Sequence, residues 1–289
     1  MPNHVRLLAL DIDGTLLDSR GRLPEAHRDA VAEAVGAGIA VVLATGRALH
    51  FTRPVASALA VPVALMVNNG AVVRTADGHA VLRSSLPREV ARAILSETEA
   101  FADSVALVFD RDDDRQVVYE AMNWSHPNRA GYYRANRAFL AQAPLEAALA
   151  EDPIQVMFNG SVEPMRQLAA TLRGLAMASR FTVAITEYEA RDFALVDVNA
   201  FACSKGATLA RWASHLGVPR EDVMAVGDNL NDLDMLEFAG TALVMGNAVD
   251  ALKRQGFPLV PSHDDDGLAV AIRRYALPPQ AELGRVDPA

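Results

Sequence analysis

The feature that most constrains this chain is a set of short, almost unbroken apolar runs: VRLLAL at 5–10, IAVVLA at 39–44, ALMVN at 64–68, VMAVG at 223–227 and TALVM at 241–245. A strand with one face in water alternates apolar and polar residues. Runs without that alternation belong to strands covered on both faces, as in a parallel sheet flanked by helices. Segments with helical spacing stand between the runs. One covers 24–37, with Ala26, Ala30, Val31, Ala34 and Val35 on one stripe and Gly36 and Gly38 closing it. Others cover 48–59, a stretch beginning at Ser204, 231–238, 249–254 and 267–276. This alternation predicts an α/β fold with a doubly wound parallel sheet.

The middle of the chain departs from the pattern. Residues 71–83 read as two short strands around Asp77-Gly78, a hairpin signal. Beyond them the spacing predicts a helix over 87–101, strands over 104–109 and 115–119 joined by an acidic turn (Asp110 to Asp114), and a helical stretch over 128–150. A strand over 154–158, a helix over 163–174 and a strand over 181–186 follow, before the strand FALVDV at 193–198. The 289 residues suffice for about two domains. The expected organisation is a core from 1–83 and 190–277, an inserted module with its own mostly antiparallel sheet at 84–189, and a loosely ordered tail at 278–289.

Composition narrows the function classes. The net charge of −9, with no basic stripe, argues against a nucleic-acid partner. No apolar stretch approaches the ~18 residues of a membrane span. The N-terminal apolar run leads directly into acidic residues without a cleavage site, and the single cysteine, Cys203, excludes an internal disulfide. These features point to the cytoplasm. Cys203 has no histidine motif beside it and reads as a small buried hydrophobe.

Four motifs carry candidate chemistry. Asp11-Ile12-Asp13-Gly14-Thr15 stands just past the first run. Two carboxylates two residues apart project to the same side of an extended chain, and Gly14 permits a sharp turn. At the carboxyl end of a parallel strand, one such group can attack phosphorus while its neighbour moves protons. An Asp-Gly surface turn is the plainer alternative. Thr45-Gly46-Arg47 offers a hydroxyl and a helix start to a phosphate, or else a capped tight turn. Lys205 opposes the dipole of its own helix unless an anion lies beside it; a solvated lysine after a Ser204 cap is the other reading. Gly227-Asp228-Asn229-Leu230-Asn231-Asp232 gathers hard oxygen donors suited to Mg²⁺, or forms an Asn/Asp-rich turn capping a helix.

Together the motifs say more, because all four fall at strand ends or helix starts of one sheet. The order DxDGT, TGR, a lone Lys-Gly and GDxxND resembles the haloacid-dehalogenase-like superfamily. GDNLNDLDML at 227–236, VMGNA at 244–248 and the pair Asn69-Gly70 resemble its Cof-type hydrolase branch. The resemblance covers about 1–83 and 190–277, and the insert fits the position of that branch's large α/β cap. It implies a Rossmann-like core with an inserted cap, and a phosphatase acting on small phosphorylated metabolites, such as sugar phosphates, through an aspartyl-phosphate. By the same resemblance Asp11 is the nucleophile, and Asp13 protonates the leaving oxygen and then activates water. Mg²⁺ would sit on Asp11, the main-chain carbonyl of Asp13 and Asp228. Lys205 and Thr45, with Gly46 in the same loop, would hold phosphate oxygens. Asn231 would contact phosphate or a water on the metal, and Asp232 would support the loop. Arg47 stands between two roles, reaching the substrate or pinning the cap.

Other activities could use parts of this set. A phosphomutase or phosphotransferase would pass the phosphoryl group from Asp11 to a second hydroxyl. A dehalogenase would leave Asp13 and Asp228 without purpose, and a non-catalytic phosphate-ligand binder would have no need of Asp11. One departure concerns Ser262-His263-Asp264-Asp265-Asp266-Gly267, where His263 replaces the branch's usual Asn. The acidic run after it reads as favourable charge at a helix N-terminus. The cap segment Trp124 to Arg134, which contains His126, is either a pocket lining or a packed surface. Two linkers must join insert and core, a geometry suited to hinge closure over the site.

Overall fold

The computed structural model describes residues 5–111 and 115–278. The first apolar runs form β1 (Leu7–Leu10), β2 (Ala40–Ala44) and β3 (Ala64–Val67), followed by the pair β4 (Val72–Arg74) and β5 (Ala80–Arg83). The middle of the chain supplies β6 (Val105–Val108), β7 (Val117–Tyr119), β8 (Leu140–Gln142), β9 (Gln155–Gly160), β10 (Phe181–Tyr188) and β11 (Phe193–Ala200). Strands β12 (Val223–Gly227), β13 (Thr241–Met245) and β14 (Leu259–Val260) complete the set.

Eight strands form one sheet in the order β14-β13-β12-β1-β2-β3-β4-β5. It is parallel from β14 to β3 and antiparallel through the β4–β5 hairpin. The apolar runs are unbroken because both faces are covered. Leu8, Leu10, Leu43 and Leu65 join Ala30 and Val31 of the helix Glu25–Gly36 and Leu268 near the C-terminal end. The alternate residues Leu7, Ala9, Val42 and Met66 pack on Leu209 and Trp212 of the helix Lys205–His215 and on Met235 of Leu233–Phe238. Each Leu, Val or Met side chain among them, taken fully out of water, contributes about 1.5–3 kcal/mol. The strand order reverses at β1, which lies between β2 and β12. Loops at that point diverge to opposite faces and open a crevice.

The other six strands form a second sheet, β10-β11-β9-β6-β7-β8, antiparallel except for β7–β8. One face (Leu107, Val118, Val156, Phe158, Val196) lies under the helices Arg88–Glu97 and Val162–Gly174. The opposite face turns Ala106, Val108 and Met157 toward the first sheet. Asp197 and Asn199 share that face and reach the turn after β3.

The structure departs from the sequence expectations in three places. The strand at 193–198, expected with the core, is β11 and pairs with β9 and β10 in the second sheet. Its alternation is that of a strand with one polar, core-facing side, which the apolar letters of FALV conceal. The stretch 128–150 is not one helix but a helix at Ala130–Asn136, strand β8 and a short helix at Leu145–Ala148. Three residues of Ala-rich sequence carry no strand period, and β8 exists because β7 offers it a ladder. The last helix is α-helical over Gly267–Ala271 and widens to a π turn over Ile272–Ala276. The middle of the expected acidic turn (112–114) and the expected tail beyond 278 lie outside the described residues.

The segment 124–134 is built on Arg129, whose guanidinium is buried and donates to the Asn159, Asp103 and Asn123 carbonyls and to Ser104 Oγ. Trp124 packs edge-on to Tyr119 and stacks on Tyr132. His126 Nδ1 caps the turn by accepting from the Asn128 N–H. These contacts make it a packed surface. Replacing Arg129 with Met strands the buried Asn159 carbonyl and removes two part-buried bonds, so Arg129→Met should lower unfolding stability by about 2–4 kcal/mol. A denaturant titration checks this, and an unchanged midpoint would contradict the arrangement.

Candidate functional site

The site forms where the carboxyl ends of β1, β2, β3 and β12 meet the start of the helix Lys205–His215. Ser204 caps that helix by accepting from the Ala207 N–H at 3.1 Å. Lys205 follows, with its side chain fully inside the protein. Its Nζ donates to Asp11 Oδ1 at 2.7 Å and to Asp232 Oδ1 at 2.6 Å. The anions that offset its unfavourable place near the helix N-terminus are thus two carboxylates of the protein. Gly70 (φ +96°) lets the turn after β3 press on this helix start. A Cβ there would lie 2.5 Å from the Ser204 carbonyl oxygen.

Asp232 is fully committed. Its Oδ2 accepts from the Asp228 N–H at 2.9 Å and the Asn229 N–H at 3.0 Å, which folds the loop after β12 back on itself. Asp228, at the head of that loop, is different: its Oδ1 is buried and has no hydrogen-bond partner. Gly14 passes beside it (φ +82°), where a Cβ would lie 2.1 Å from Asp228 Oδ2, so only glycine brings the two loops this close. Asn247, from the segment after β13, donates to the Gly14 carbonyl at 2.8 Å and accepts from the His263 N–H at 2.9 Å. The His263 substitution therefore meets Asn247 through its backbone, which any residue could supply.

Thr45 is buried at the end of β2, and its Oγ1 accepts from the Arg47 N–H at 3.0 Å, leaving the hydroxyl proton free to donate. Gly46 faces the Asn69 carboxamide; a Cβ there would lie 3.2 Å from Asn69 Oδ1. Arg47 reaches across to Asp13 as a two-pronged pair, Nε to Oδ2 and Nη2 to Oδ1, both at 2.6 Å. Burial works against the Arg47 charge, but the Asp13 carboxylate outweighs it and holds the guanidinium above its ordinary range. From the second sheet, Tyr188 at the end of β10 enters the same field. Burial first, and then the Asp13 and Asp11 charges, raise its phenol above the ordinary value. Sequence reasoning missed Tyr188, since nothing in TEYEARD marks a residue that only tertiary closure brings to the site.

The electrostatics are those of a site short of positive charge. Burial pushes the Asp11 carboxyl up to about 7; Lys205 pulls it back, while Asp232 and Asp13 push it further. Asp228 is raised well above the carboxylate range by burial, Asp11 and Asp232. Among the described residues, Asp11, Asp228 and Asp232 each offer an oxygen within 4.8 Å of the others. Four aspartates here face two cations, Lys205 and Arg47. A divalent cation would restore the balance, and the unpartnered Asp228 Oδ1 beside Asp11 is the donor such an ion requires. Asp232, with both oxygens occupied, is a support for Lys205 and the loop.

A buried polar seam joins this region to the second sheet. The Asn68 Nδ2 donates to Gln155 Oε1 at 3.0 Å and Asn199 Nδ2 to the Asn68 carbonyl at 3.2 Å. Asn69 Nδ2 donates to Asp197 Oδ2 at 2.7 Å, and Asn231 Nδ2 to Asn69 Oδ1 at 3.0 Å. Cys203, nearby, is buried, and burial pushes its thiol up to about 11, away from the thiolate form.

Haloacid dehalogenase-like hydrolases are the family whose model matches residues 8–272, and the chain belongs to that family, in its Cof-type branch. It is an enzyme of the phosphoric monoester hydrolase class, as its relatives' names indicate. It is similar to 5-amino-6-(5-phospho-D-ribitylamino)uracil phosphatase YcsE of Bacillus subtilis, 28% identical over 94% of this chain and 96% of that one. The HMP-PP phosphatase of Serratia proteamaculans is 30% identical, covering 86% of each chain. Among solved structures, a sugar phosphatase of HAD subclass IIB, BT4131, superposes with a TM-score of 0.74 at 20% identity, covering 94% of this chain and 99% of the other. No helix among the described residues is long and apolar enough to cross a membrane.

Burial pushes the Asp197 carboxyl up to about 7 against the opposing pull of Asn69, from an ordinary 3.8 in an unfolded chain. Between those values the folded protein holds a proton that the unfolded chain has released. Stability therefore falls as pH rises through this window and levels off above it. Asp197→Asn removes the loss. Its melting temperature should gain on the parent protein's as pH rises from about 4 to about 8, and parallel curves would contradict this placement.

Proposed function

We propose that the protein is a Mg²⁺-dependent phosphatase of small phosphorylated metabolites that works through an aspartyl-phosphate on Asp11. The observation that carries the reading is the Lys205 ammonium, held 2.7 Å from Asp11 beside an Asp228 oxygen with no partner. A carboxylate attacking a phosphate dianion meets like-charge repulsion. Lys205 supplies one fixed positive charge at the nucleophile, in a dry site where it acts strongly. Asp11, the Asp13 main-chain carbonyl and Asp228 would hold Mg²⁺, which when bound screens the phosphoryl oxygens and favours attack.

In the first step an Asp11 oxygen attacks phosphorus, the bond to the leaving oxygen breaks, and that oxygen takes a proton from Asp13. In the second, water attacks the same phosphorus and gives its proton to Asp13, and Asp11 leaves as a carboxylate. Arg47 occupies both Asp13 oxygens, so Asp13 can transfer protons only when Arg47 moves aside. An incoming phosphate competes for the guanidinium and provides the reason for it to move. Thr45 and Lys205 donate to phosphate oxygens, and Asn231 adds a further donor. The second sheet acts as a cap that selects the leaving group; its Glu187 carbonyl accepts from Asn229 Nδ2 of the catalytic loop. The single-cysteine composition fits a cytoplasmic setting. The relatives named as phosphatases of phosphorylated ribitylaminouracil and of HMP-PP support a small organic leaving group.

Phosphate release from a panel of phosphorylated metabolites with Mg²⁺ tests the assignment. Asp11→Asn should lower turnover by at least about 10³-fold while the far-ultraviolet spectrum is preserved. EDTA should abolish activity and Mg²⁺ restore it. Turnover that survives either treatment would sink the mechanism.

A further inference from the structure

Asp197 sits on the core-facing side of β11, 3% exposed, opposite Met157 and Ala184 of the neighbouring strands. No cation pairs with it among the described residues. A buried carboxyl without a cation costs stability, and an apolar side chain would suit a position between Met157 and Ala184 at lower cost. Its one hydrogen bond, however, has consequences beyond itself.

Asn69 lies in the left-handed region (φ +53°), its N–H held by the Thr45 carbonyl at 3.0 Å. The backbone is fixed, but that alone does not decide which end of the carboxamide points where. An amide has a donor end and an acceptor end, whereas a carboxylate, the form Asp197 takes once the pH exceeds about 7, only accepts. Asp197 takes the Nδ2 end at 2.7 Å, which turns Oδ1 toward the loop after β12, where it accepts from Asn231 Nδ2 at 3.0 Å. Asn231 thus presents its amide in one sense, with the second N–H of Nδ2 left to donate. Without Asp197, Asn69 can flip, and Asn231 must flip with it or lose its partner.

We propose that Asp197 is a positioning residue that, acting through Asn69, sets the polarity of the Asn231 carboxamide at the catalytic loop when the cap lies against the core. This inference rests on the phosphatase reading above for its kinetic consequence, and on geometry alone for its structural one. It also makes the second sheet a contributor to the chemical step, since a cap residue sets the direction of a core donor.

The test combines a double-mutant cycle with a direct view of the amide. Asp197→Ala should lower kcat about tenfold with KM changed less than about threefold. Asn231→Ala should do the same, and the double variant should be no slower than Asn231→Ala alone, because there is then no amide left to orient. Asp197→Asn keeps the size and an acceptor but adds a donor, so it can pair with either end of the Asn69 carboxamide and should recover little of the loss. A merely structural role would give independent, additive losses and full recovery by the isosteric Asp197→Asn. In parallel, the Asn231 side-chain NH₂ resonance, assigned by its absence in Asn231→Ala, should shift in Asp197→Ala while the backbone amides of 228–232 hold their positions. An unmoved resonance overturns the inference whether or not the enzyme turns over. So does additivity in the cycle, or unchanged kcat in Asp197→Ala. Absence of phosphate release from the parent protein with Mg²⁺ overturns the phosphatase reading instead, and the resonance still decides the role of Asp197.

Discussion

A single ammonium group with no exposed surface ties together loops that the sequence keeps far apart. Lys205 lies 194 residues from Asp11 and 27 from Asp232, and reaches both within 2.7 Å. Buried ion pairs roughly break even as stabilising devices, because desolvation offsets attraction. Here the arrangement fixes geometry. Asp232 orients the ammonium and, with its other oxygen, folds the loop that carries Asp228. Asp11 is thereby held at the end of β1 with a cation on one side and an acidic neighbour on the other. The approach of Gly14 to Asp228 and of Gly70 to Ser204 brings these loops close enough for one lysine to span them.

The surplus of negative charge gives the site its chemical character. Burial drives the Asp11 and Asp228 carboxyls upward, and the Asp11 charge raises Asp228 further. A divalent ion would relieve this surplus of charge. The Arg47–Asp13 pair is the complementary element. It satisfies both partners in the absence of substrate, with a guanidinium that a phosphate can draw away. In the proposed mechanism, ligand binding and release of Asp13 would be a single exchange of partners.

Much of this was legible in the sequence. The unbroken runs at 5–10, 39–44 and 223–227 gave β1, β2 and β12, because burial on both faces leaves a mark in the letters themselves. The motifs at 11–15, 45–47, 205 and 227–232 were readable as one site because each follows a strand end or opens a helix of the same sheet. What was not legible depends on the partner. Strand β8 has no period of its own and exists through β7. The alternation in β11 became meaningful only once Asp197 and Asn199 were found against Asn69 and Asn68. The segment Trp124 to Arg134 reads as either pocket lining or packed surface in the sequence, and only the five hydrogen bonds of Arg129 to backbone carbonyls and Ser104 decide for packing. Tyr188 and Asp197 come to the site from the second sheet, through tertiary packing that leaves no signature in a linear sequence.

The most direct measurement is to quench the enzyme with borohydride during turnover of a phosphate ester and map its peptides. An acyl phosphate on Asp11 would be reduced to homoserine at that position, and nowhere else in the chain, in amounts that follow the rate of phosphate release. Phosphate released at the same rate, with position 11 still aspartate after the quench, would contradict covalent catalysis by Asp11.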